Sequence, residues 1–260
     1  MSRTTPRSKR MRIGIIGAGH IGGTLAGELT ELGDRVRVAN SRGPESLASL
    51  AHETGARAVA VEDAVRDVQL VIVTIPEKSV PELPKGLFDR VPKEVIIVDT
   101  GNYYPSWRDG RIEAIERGTT ESGWVSSVLG RPVVKAFNNI TAQSLAEGAR
   151  PKGAKNRIAL PVAGDDARAK SIVIALLDDL GFDGVDAGSL DESWRQQPGT
   201  PVYCTDLSRE GVWRALAKAD CAKAPEIREL FMTRWQQLPE GTTPRELVQL
   251  ARELAGATAL

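Results

Sequence analysis

The stretch MRIGIIGAGHIG, residues 11–22, leads from a short apolar run directly into Gly17, Gly19 and Gly22. A buried strand, a glycine turn and a helix start in this order are typical of a site for a dinucleotide pyrophosphate. Gly17 permits the tight turn, Gly19 lets the backbone approach the phosphates, and Gly22 lets the helix pack closely on the strand. A glycine-rich turn that binds no ligand is the alternative.

The residues after the turn have the periodicity of a helix. Leucines recur at helical spacing from Leu25 up to Gly33, which is placed to end the helix. The first turn of such a helix offers free N–H groups and a positive dipole end to an anion. His20 and Ile21, at the helix start, are therefore predicted to contact the cofactor together with the glycines.

Residues 35–39 (RVRVA) predict a second strand, which ends at Asn40, Ser41 and Arg42. A site that prefers NAD carries an acidic residue near this position, where it holds the ribose 2′-hydroxyl. Asn40 stands there instead, Ser41 can donate to a 2′-phosphate, and Arg42 can pair with it. The segment therefore favours NADP(H), although Arg42 could also be an ordinary solvated loop residue.

The composition excludes several classes of function. The 34 Lys and Arg residues balance the 34 Asp and Glu residues, which gives no electrostatic case for nucleic acid or for an anionic membrane. Cys204, Cys221, His20 and His52 show no metal-ligand or redox spacing, so no metal site is expected. The chain has no apolar run long enough to cross a bilayer, and a cytoplasmic location fits these features.

The rest of the chain alternates between apolar strands and helical segments. Further strands are predicted at residues 58–61, 70–76, 94–99 and 132–137, and helices at 45–54 and 63–67. This alternation predicts an α/β fold, a Rossmann-type doubly wound and mostly parallel sheet. Since ligands bind beyond the carboxyl ends of such strands, several segments are expected to line one crevice. They are the glycine turn and residues 40–42, 74–76, 100–102 and 138–140.

Three regions are predicted along the chain. The polar, basic residues 1–10 form a disordered tail, and residues 11–188 form the NADP-binding Rossmann-like domain, which closes with a strand at 156–164, a helix at 165–180 and a strand at 182–187. Residues 189–260 form a small helical part, with helices near 206–221, 225–238 and 244–257. Thr243 and Glu246 predict a capping box at the start of the last one.

Several of these motifs together resemble a known family. They are GAGHIG at 17–22, NSR at 40–42, TIP at 74–76, VVKAFNNI at 133–140, AGDD at 163–166 and VDAGSL at 185–190. In this order, the chain resembles the NADP oxidoreductases that use the deazaflavin coenzyme F420, and the related NADPH-binding domain of membrane metalloreductases. The resemblance covers about residues 11–205 and leaves the later helices without a counterpart.

The resemblance implies roles for particular residues. Ser41 and Arg42 would hold the 2′-phosphate, and Thr74, Ile75 and Pro76 would border the nicotinamide. Asn138, Asn139, Ile140 and Ala142 would lie where a flavin-like ring approaches. The archaeal deazaflavin enzymes carry a histidine where this chain has Asn138, whereas the metalloreductase relatives carry asparagine. The resemblance therefore implies the NADP site of this chain more strongly than it implies which molecule accepts the hydride.

Some residues allow two interpretations. Asn138 and Asn139 could contact substrate or could satisfy loop backbone. Lys135, inside an apolar strand, is predicted to be an edge lysine that reaches solvent rather than an acid or base. Asp165 and Asp166 favour helix capping over acid–base chemistry.

The aromatic residues also allow more than one interpretation. Tyr103 and Tyr104 could each line the crevice. Trp194, Trp213 and Trp235 are expected to pack in the core of the helical part, with ring stacking or a subunit interface as the alternatives.

Three functions are compatible with these features. The leading hypothesis is an NADP-dependent oxidoreductase that passes hydride between NADP(H) and a flavin or deazaflavin, in which the protein positions two rings and needs no catalytic acid, base or metal. An NADPH-dependent reductase of a small carbonyl or imine would need a proton donor, for which Tyr103, Tyr104 and Lys135 are the candidates. A non-catalytic NADPH sensor is the third. The apolar stripe and tryptophans of the helical part predict a homodimer.

Overall fold

The computed structural model of the chain describes residues 10–239 and 241–257. Eight strands are β1 (Arg12–Ile16), β2 (Arg35–Ala39), β3 (Arg57–Ala58), β4 (Leu70–Val73), β5 (Ile96–Asp99), β6 (Val134–Lys135), β7 (Ala159–Val162) and β8 (Asp183–Asp186). The first six form one parallel sheet in the order β3-β2-β1-β4-β5-β6. This is the strand order of dinucleotide-binding folds, with its switch point between β1 and β4. The predicted Rossmann-type α/β fold is confirmed.

Helices pack on both faces of this sheet, and others pack outside it. In chain order, the α-helices of the described residues are α1 (His20–Glu31), α2 (Ala48–Thr54), α3 (Val61–Ala64), α4 (Glu113–Glu116), α5 (Glu121–Leu129), α6 (Ala142–Glu147), α7 (Ala167–Asp179), α8 (Arg209–Lys218), α9 (Ala224–Gln236) and α10 (Pro244–Leu254). Because side chains alternate along a strand, Ile15 packs with Leu25 and Val173 on one face, while Ile16 packs with Val125 on the other. Strands buried on both faces explain the continuous apolar runs in the sequence.

The predicted strand–helix–strand unit after residue 156 forms a separate parallel pair, β7 and β8, with α7 between them. One antiparallel bridge between Lys135 and Ala163 links this pair to the main sheet. Asp166 caps α7, since its Oδ1 accepts from the N–H groups of Arg168 and Ala169 at 2.8 and 3.0 Å. The capping role predicted for Asp165 and Asp166 is confirmed for Asp166 only, because Asp165 Oδ1 accepts from the Leu190 N–H at 2.9 Å instead.

Several predicted boundaries were wrong because the backbone turns earlier than the apolar pattern suggests. The strand predicted at 132–137 is reduced to β6, and Phe137 takes a left-handed φ of 61° that ends the extended run. The strand predicted at 58–61 is Arg57–Ala58, and the helix predicted at 63–67 is α3. Asp67, with φ of 55°, cannot continue that helix. The predicted tail at 1–10 lies outside the described residues except for Arg10, which is exposed.

The helical part packs against β7 and β8 through Val212 and Leu216 of α8. Thr243 and Glu246 form the predicted capping box of α10. Core packing was the wrong expectation for Trp213 and Trp235, which are 52% and 42% exposed. No helix among the described residues is long and apolar enough to cross a membrane.

Candidate functional site

Two of the three motif glycines are required by the packing of the chain itself. Gly17 has a φ of 112°, and a Cβ there would overlap the carbonyl oxygen of Thr74. Its N–H donates to the Ala39 carbonyl at 2.8 Å, which joins the turn to β2. A Cβ on Gly22 would overlap the carbonyl oxygen of Gly17. These two positions let α1 start close to β1 and β4.

Gly19 is different, because nothing in the chain requires a glycine there. Its φ is an ordinary −74°, and a Cβ would meet no atom within 4 Å. Of the 25 glycines in the chain, all within the described residues, it alone combines such a φ with open space. It is also the N-cap of α1, where no side chain caps the free N–H groups, and His20 beside it is exposed. The open space above this helix start fits a pyrophosphate.

The segment after β2 presents two polar side chains to solvent. Asn40 organises the turn, since its Oδ1 accepts from the Arg42 N–H at 3.0 Å and its Nδ2 donates to Ser46 Oγ at 2.9 Å. Ser41 and Arg42 are both exposed at the carboxyl end of the strand. Asn40, Ser41 and Arg42 carry no carboxylate that would repel a 2′-phosphate.

The segment Thr74–Pro76 lies against the glycine turn, as predicted. The N–H of Thr74 donates to the Ile16 carbonyl at 2.8 Å, and Ile75 Cγ2 lies 2.9 Å from the position of a Cβ built on Gly17. Residues 74–76 are all partly exposed. The carboxyl ends of β1, β2 and β4 thus bring together the three glycines and residues 40–42 and 74–76 at the switch point of the sheet, and the crevice is the open space between them.

Lys135 does not reach solvent, contrary to the prediction for an edge lysine. It is fully buried, and its Nζ donates to the Gly101 carbonyl at 2.8 Å and to Glu121 Oε2 at 3.3 Å. Asp99 Oδ2 lies 3.6 Å from the same ammonium. The prediction was wrong because the end of β5, the loop after it and the start of α5 cover the lysine and supply its carboxylate and carbonyl partners.

Glu77 is a further member of this buried charge cluster and was not predicted from the sequence. It is fully buried beside Gly101, and neither carboxylate oxygen has a hydrogen-bond partner. Burial and the neighbouring Asp99 raise the pKa of Glu77 well above its usual value, with Lys135 acting in the opposite direction. A buried carboxyl without donors is more stable in its protonated form. No local signal marks Glu77, which follows Pro76 in a polar segment.

Asn138 and Asn139 are buried and hydrogen-bonded inside the protein. Asn138 Nδ2 donates to the Gln196 carbonyl at 2.7 Å and to Asn102 Oδ1 at 3.1 Å, and Gln196 Nε2 donates back to Asn138 Oδ1 at 2.9 Å. Asn139 Nδ2 donates to the Val202 carbonyl at 3.4 Å. These contacts favour the interpretation that both side chains satisfy loop polar groups.

The two tyrosines after β5 are also buried. Tyr103 donates to Glu116 Oε1 at 2.8 Å, and burial raises its pKa to about 12. The hydroxyl of Tyr104 is hydrogen-bonded to that of Tyr203, and burial raises its pKa as well. Both phenols therefore have internal hydrogen-bond partners. Among the described residues, no group of histidines, cysteines and carboxylates could hold a metal ion.

The strand order and the glycine turn are those of a dinucleotide-binding protein. Comparison with known proteins shows the family to which the chain belongs. Residues 12–103 match the family described as NADP oxidoreductase, coenzyme F420-dependent. The hypothetical protein SMa0349 of Sinorhizobium meliloti shares 33% sequence identity with a TM-score of 0.64, over 76% of this chain and 96% of that one. The protein YjhV of Escherichia coli K12 is 46% identical over 104 residues, which are 40% of this chain and 76% of YjhV.

A more distant structure has the same fold. It is a candidate F420-dependent NADP reductase from Arthrobacter sp. FB24, with 24% identity and a TM-score of 0.57 over 70% of this chain and 87% of that one. The chain belongs to the family of F420-dependent NADP oxidoreductases, and the resemblance predicted from its motifs is confirmed.

Proposed function

We propose that this chain binds NADP(H) in the crevice at the switch point of the sheet and passes hydride between its nicotinamide and the ring of a flavin or deazaflavin. The observation that carries the proposal is the open space above Gly19, which a single Cβ would begin to fill. An uncapped helix N-terminus borders the same space. A site built in this way fits a pyrophosphate and offers no reason for glycine if nothing binds.

The parts of the cofactor would be held by different segments. Gly17, Gly19, His20, Ile21 and Gly22 would hold the pyrophosphate. The hydroxyl of Ser41 and the guanidinium of Arg42, exposed beyond β2, would hold the 2′-phosphate. Residues 74–76 would border the nicotinamide. The bound nicotinamide supplies or takes the hydride, and the chain contributes by fixing two rings at contact distance.

A ring acceptor is favoured over a small carbonyl or imine by the burial of every proposed proton donor. The ammonium of Lys135 is bonded to a carbonyl and to a carboxylate inside the protein. The hydroxyl of Tyr103 donates to Glu116, and the hydroxyl of Tyr104 is hydrogen-bonded to that of Tyr203. None of these groups is more than 6% exposed. A carbonyl reductase needs a donor that reaches the substrate oxygen.

The segment after β6 contributes to the acceptor side of this proposal. Ala142 begins α6 and is partly exposed, whereas Asn138 and Asn139 lie beneath the surface. The small side chain of Ala142 would leave room for a flat ring. The two asparagines would act on the acceptor by holding the shape of their loop.

Steady-state oxidation of NADPH with a panel of acceptors tests the function. We expect turnover with riboflavin, FMN or a deazaflavin, and little or none with small carbonyls and imines. Turnover confined to carbonyls or imines would contradict the ring acceptor. NADPH binding without oxidation by any member of the panel would support the sensor instead.

Cofactor choice gives a separate prediction. Arg42→Ala removes a charge-assisted contact worth about 1.5–3 kcal/mol, so the Kd for NADPH should rise about tenfold to a hundredfold. The Kd for NADH should change little, because NADH has no 2′-phosphate. Isothermal titration of both cofactors checks this, with Arg10→Ala, another exposed arginine, as the control. Equal affinity of the wild type for NADPH and NADH would contradict the proposal.

A further inference from the structure

Three aromatic side chains form a shelf on the surface between the end of β5 and the helical part. The shelf consists of Trp107, Phe231 and Trp235. The ring centroids of the two tryptophans lie 6.1 Å apart at an interplanar angle of 36°, and Phe231 meets Trp235 edge-on at 5.9 Å. Trp107 and Trp235 are 49% and 42% exposed, so large apolar ring surface remains open to solvent.

The turn that carries Trp107 joins the shelf to the segment that follows β5 and to Lys78, which lies two residues after Pro76. This turn is a π-helical stretch, Pro105–Asp109, that begins after residues 100–104, the segment that follows β5. The guanidinium of Arg108 donates to the carbonyl of Asn102, a partly exposed residue of that segment. The carboxylate of Asp109 accepts from the N–H groups of Tyr104 at 2.8 Å and Lys78 at 3.3 Å. Trp107 is therefore held at a defined position beside the crevice.

The chemistry of the shelf selects a flat ring rather than a charged group. The nearby cation, Arg108, is engaged by Asp109 through Nε at 3.0 Å and Nη2 at 2.9 Å. Trp107 also packs edge-on against Tyr104, with centroids 5.6 Å apart, which steadies the indole. Exposed aromatic faces bind planar heterocycles by stacking.

We propose that Trp107 and Trp235 form the platform that binds the planar heteroaromatic ring of the hydride acceptor at the mouth of the crevice. This inference rests on the proposed function, because it names the residues that hold the acceptor of the same reaction. The occupant is a ring of the isoalloxazine or deazaflavin class, recognised by its π-face. Phe231 supports Trp235 from behind without contacting the ring.

Equilibrium binding of riboflavin in the absence of NADPH tests the platform directly. Riboflavin fluorescence should be quenched on binding to the wild type, and Trp107→Ala and Trp235→Ala should each raise its Kd about fivefold to a hundredfold. Trp213→Ala is the matched control, since Trp213 is a tryptophan of similar exposure, 52%, on α8 and is not among the rings that form the shelf. Trp107→Phe keeps an aromatic face and should retain most of the affinity.

Enzyme kinetics and measurement of the oligomeric state distinguish a failure of the platform from a failure of the proposed function. Where flavin turnover exists, the two shelf variants should raise the KM for riboflavin while the Kd for NADPH stays unchanged. Normal riboflavin binding and KM in both variants would overturn the platform and leave the proposed function standing. Riboflavin binding that needs both tryptophans, without any NADPH oxidation, would retain the platform as a binding site and overturn the reaction. A dimer that Trp235→Ala dissociates, with riboflavin affinity unchanged, would make the shelf an interface between copies and overturn the inference.

Discussion

Replacement of Lys135 by Met is expected to lower the free energy of unfolding by about 3–5 kcal/mol at pH 8. The ammonium is fully buried and lies 3.3 Å from Glu121 Oε2 and 3.6 Å from Asp99 Oδ2. Burial lowers the pKa of Lys135, but the carboxylates of Asp99 and Glu121 outweigh burial and raise the pKa, so the lysine is charged in the folded protein. Without it, buried carboxylates lose their cation. Urea denaturation followed by circular dichroism measures the loss.

A second lysine provides the control for this prediction. Lys170 Nζ pairs with Asp186 Oδ1 at 2.7 Å and donates to the Gly188 carbonyl at 3.0 Å, but its partner carboxylate is 52% exposed. Lys170→Met is therefore expected to cost no more than about 1 kcal/mol. If the two variants lose a similar free energy of unfolding, burial does not make the ion pairs of Lys135 more important for stability than the exposed pair of Lys170.

The pH dependence of the variant has a definite sign. An acid whose pKa is higher in the folded than in the unfolded protein loses stability as pH rises between those two values. Burial raises the pKa of both Glu77 and Glu121, and removal of Lys135 takes away an interaction that lowers both. The deficit of Lys135→Met should therefore shrink as pH falls from 8 toward 4.5, the ordinary pKa of a glutamate, because both carboxyls take up protons on the way.

Glu77→Gln tests the same cluster from the acidic side. Glu77 has no hydrogen-bond donor and stands near Asp99, so its ionised form is unfavourable in the fold. The neutral glutamine should leave the protein at least as stable at pH 8, with a gain that decreases toward pH 4.5. A loss comparable to that of Lys135→Met would show that ionised Glu77 is a required partner of the lysine.

The parts of the site that could be predicted from sequence are those set by local backbone chemistry. The glycine turn, the polar segment at 40–42 and the wall at 74–76 each follow a strand directly, so strand order alone brings them together. The capping residues Asp166 and Thr243 are equally local, because a cap acts on its own helix. These predictions needed no knowledge of packing beyond the parallel sheet.

The remainder depends on which distant segments cover a residue. Lys135 has apolar neighbours on both sides in the sequence, which fits an edge lysine and a buried lysine equally well. Only the loop after β5 and the start of α5 decide that it is buried. The side chain of Asn138 is engaged by Gln196, a residue of the helical part that no local pattern connects to it. Trp107 and Trp235 meet across the molecule in the same way. The burial of Lys135 and Asn138 and the pairing of the two tryptophans therefore depend on long-range packing, which the local sequence does not reveal.

Substitution of Gly19 by Val is expected to abolish cofactor binding while the protein stays folded. The added side chain would enter the open space above the start of α1, where no atom of the chain lies within 4 Å of a Cβ. The backbone at Gly19 is extended, with φ of −74° and ψ of −167°, which valine adopts readily. The cost to stability should stay within about 1 kcal/mol, the scale of a poorer N-cap.

The effect on binding should be the same for both cofactors, in contrast to that of Arg42→Ala. NADPH and NADH share the pyrophosphate, so the Kd of each should rise at least a hundredfold, about 2.7 kcal/mol. Gly27→Ala is the matched control, because it lies in the same helix and its Cβ would only touch Thr54 Cγ2 at 3.5 Å. That variant should bind NADPH normally and gain about 0.5–1 kcal/mol of stability. Normal NADPH binding by Gly19→Val would place the cofactor elsewhere, since no bound pyrophosphate could then occupy the space above Gly19.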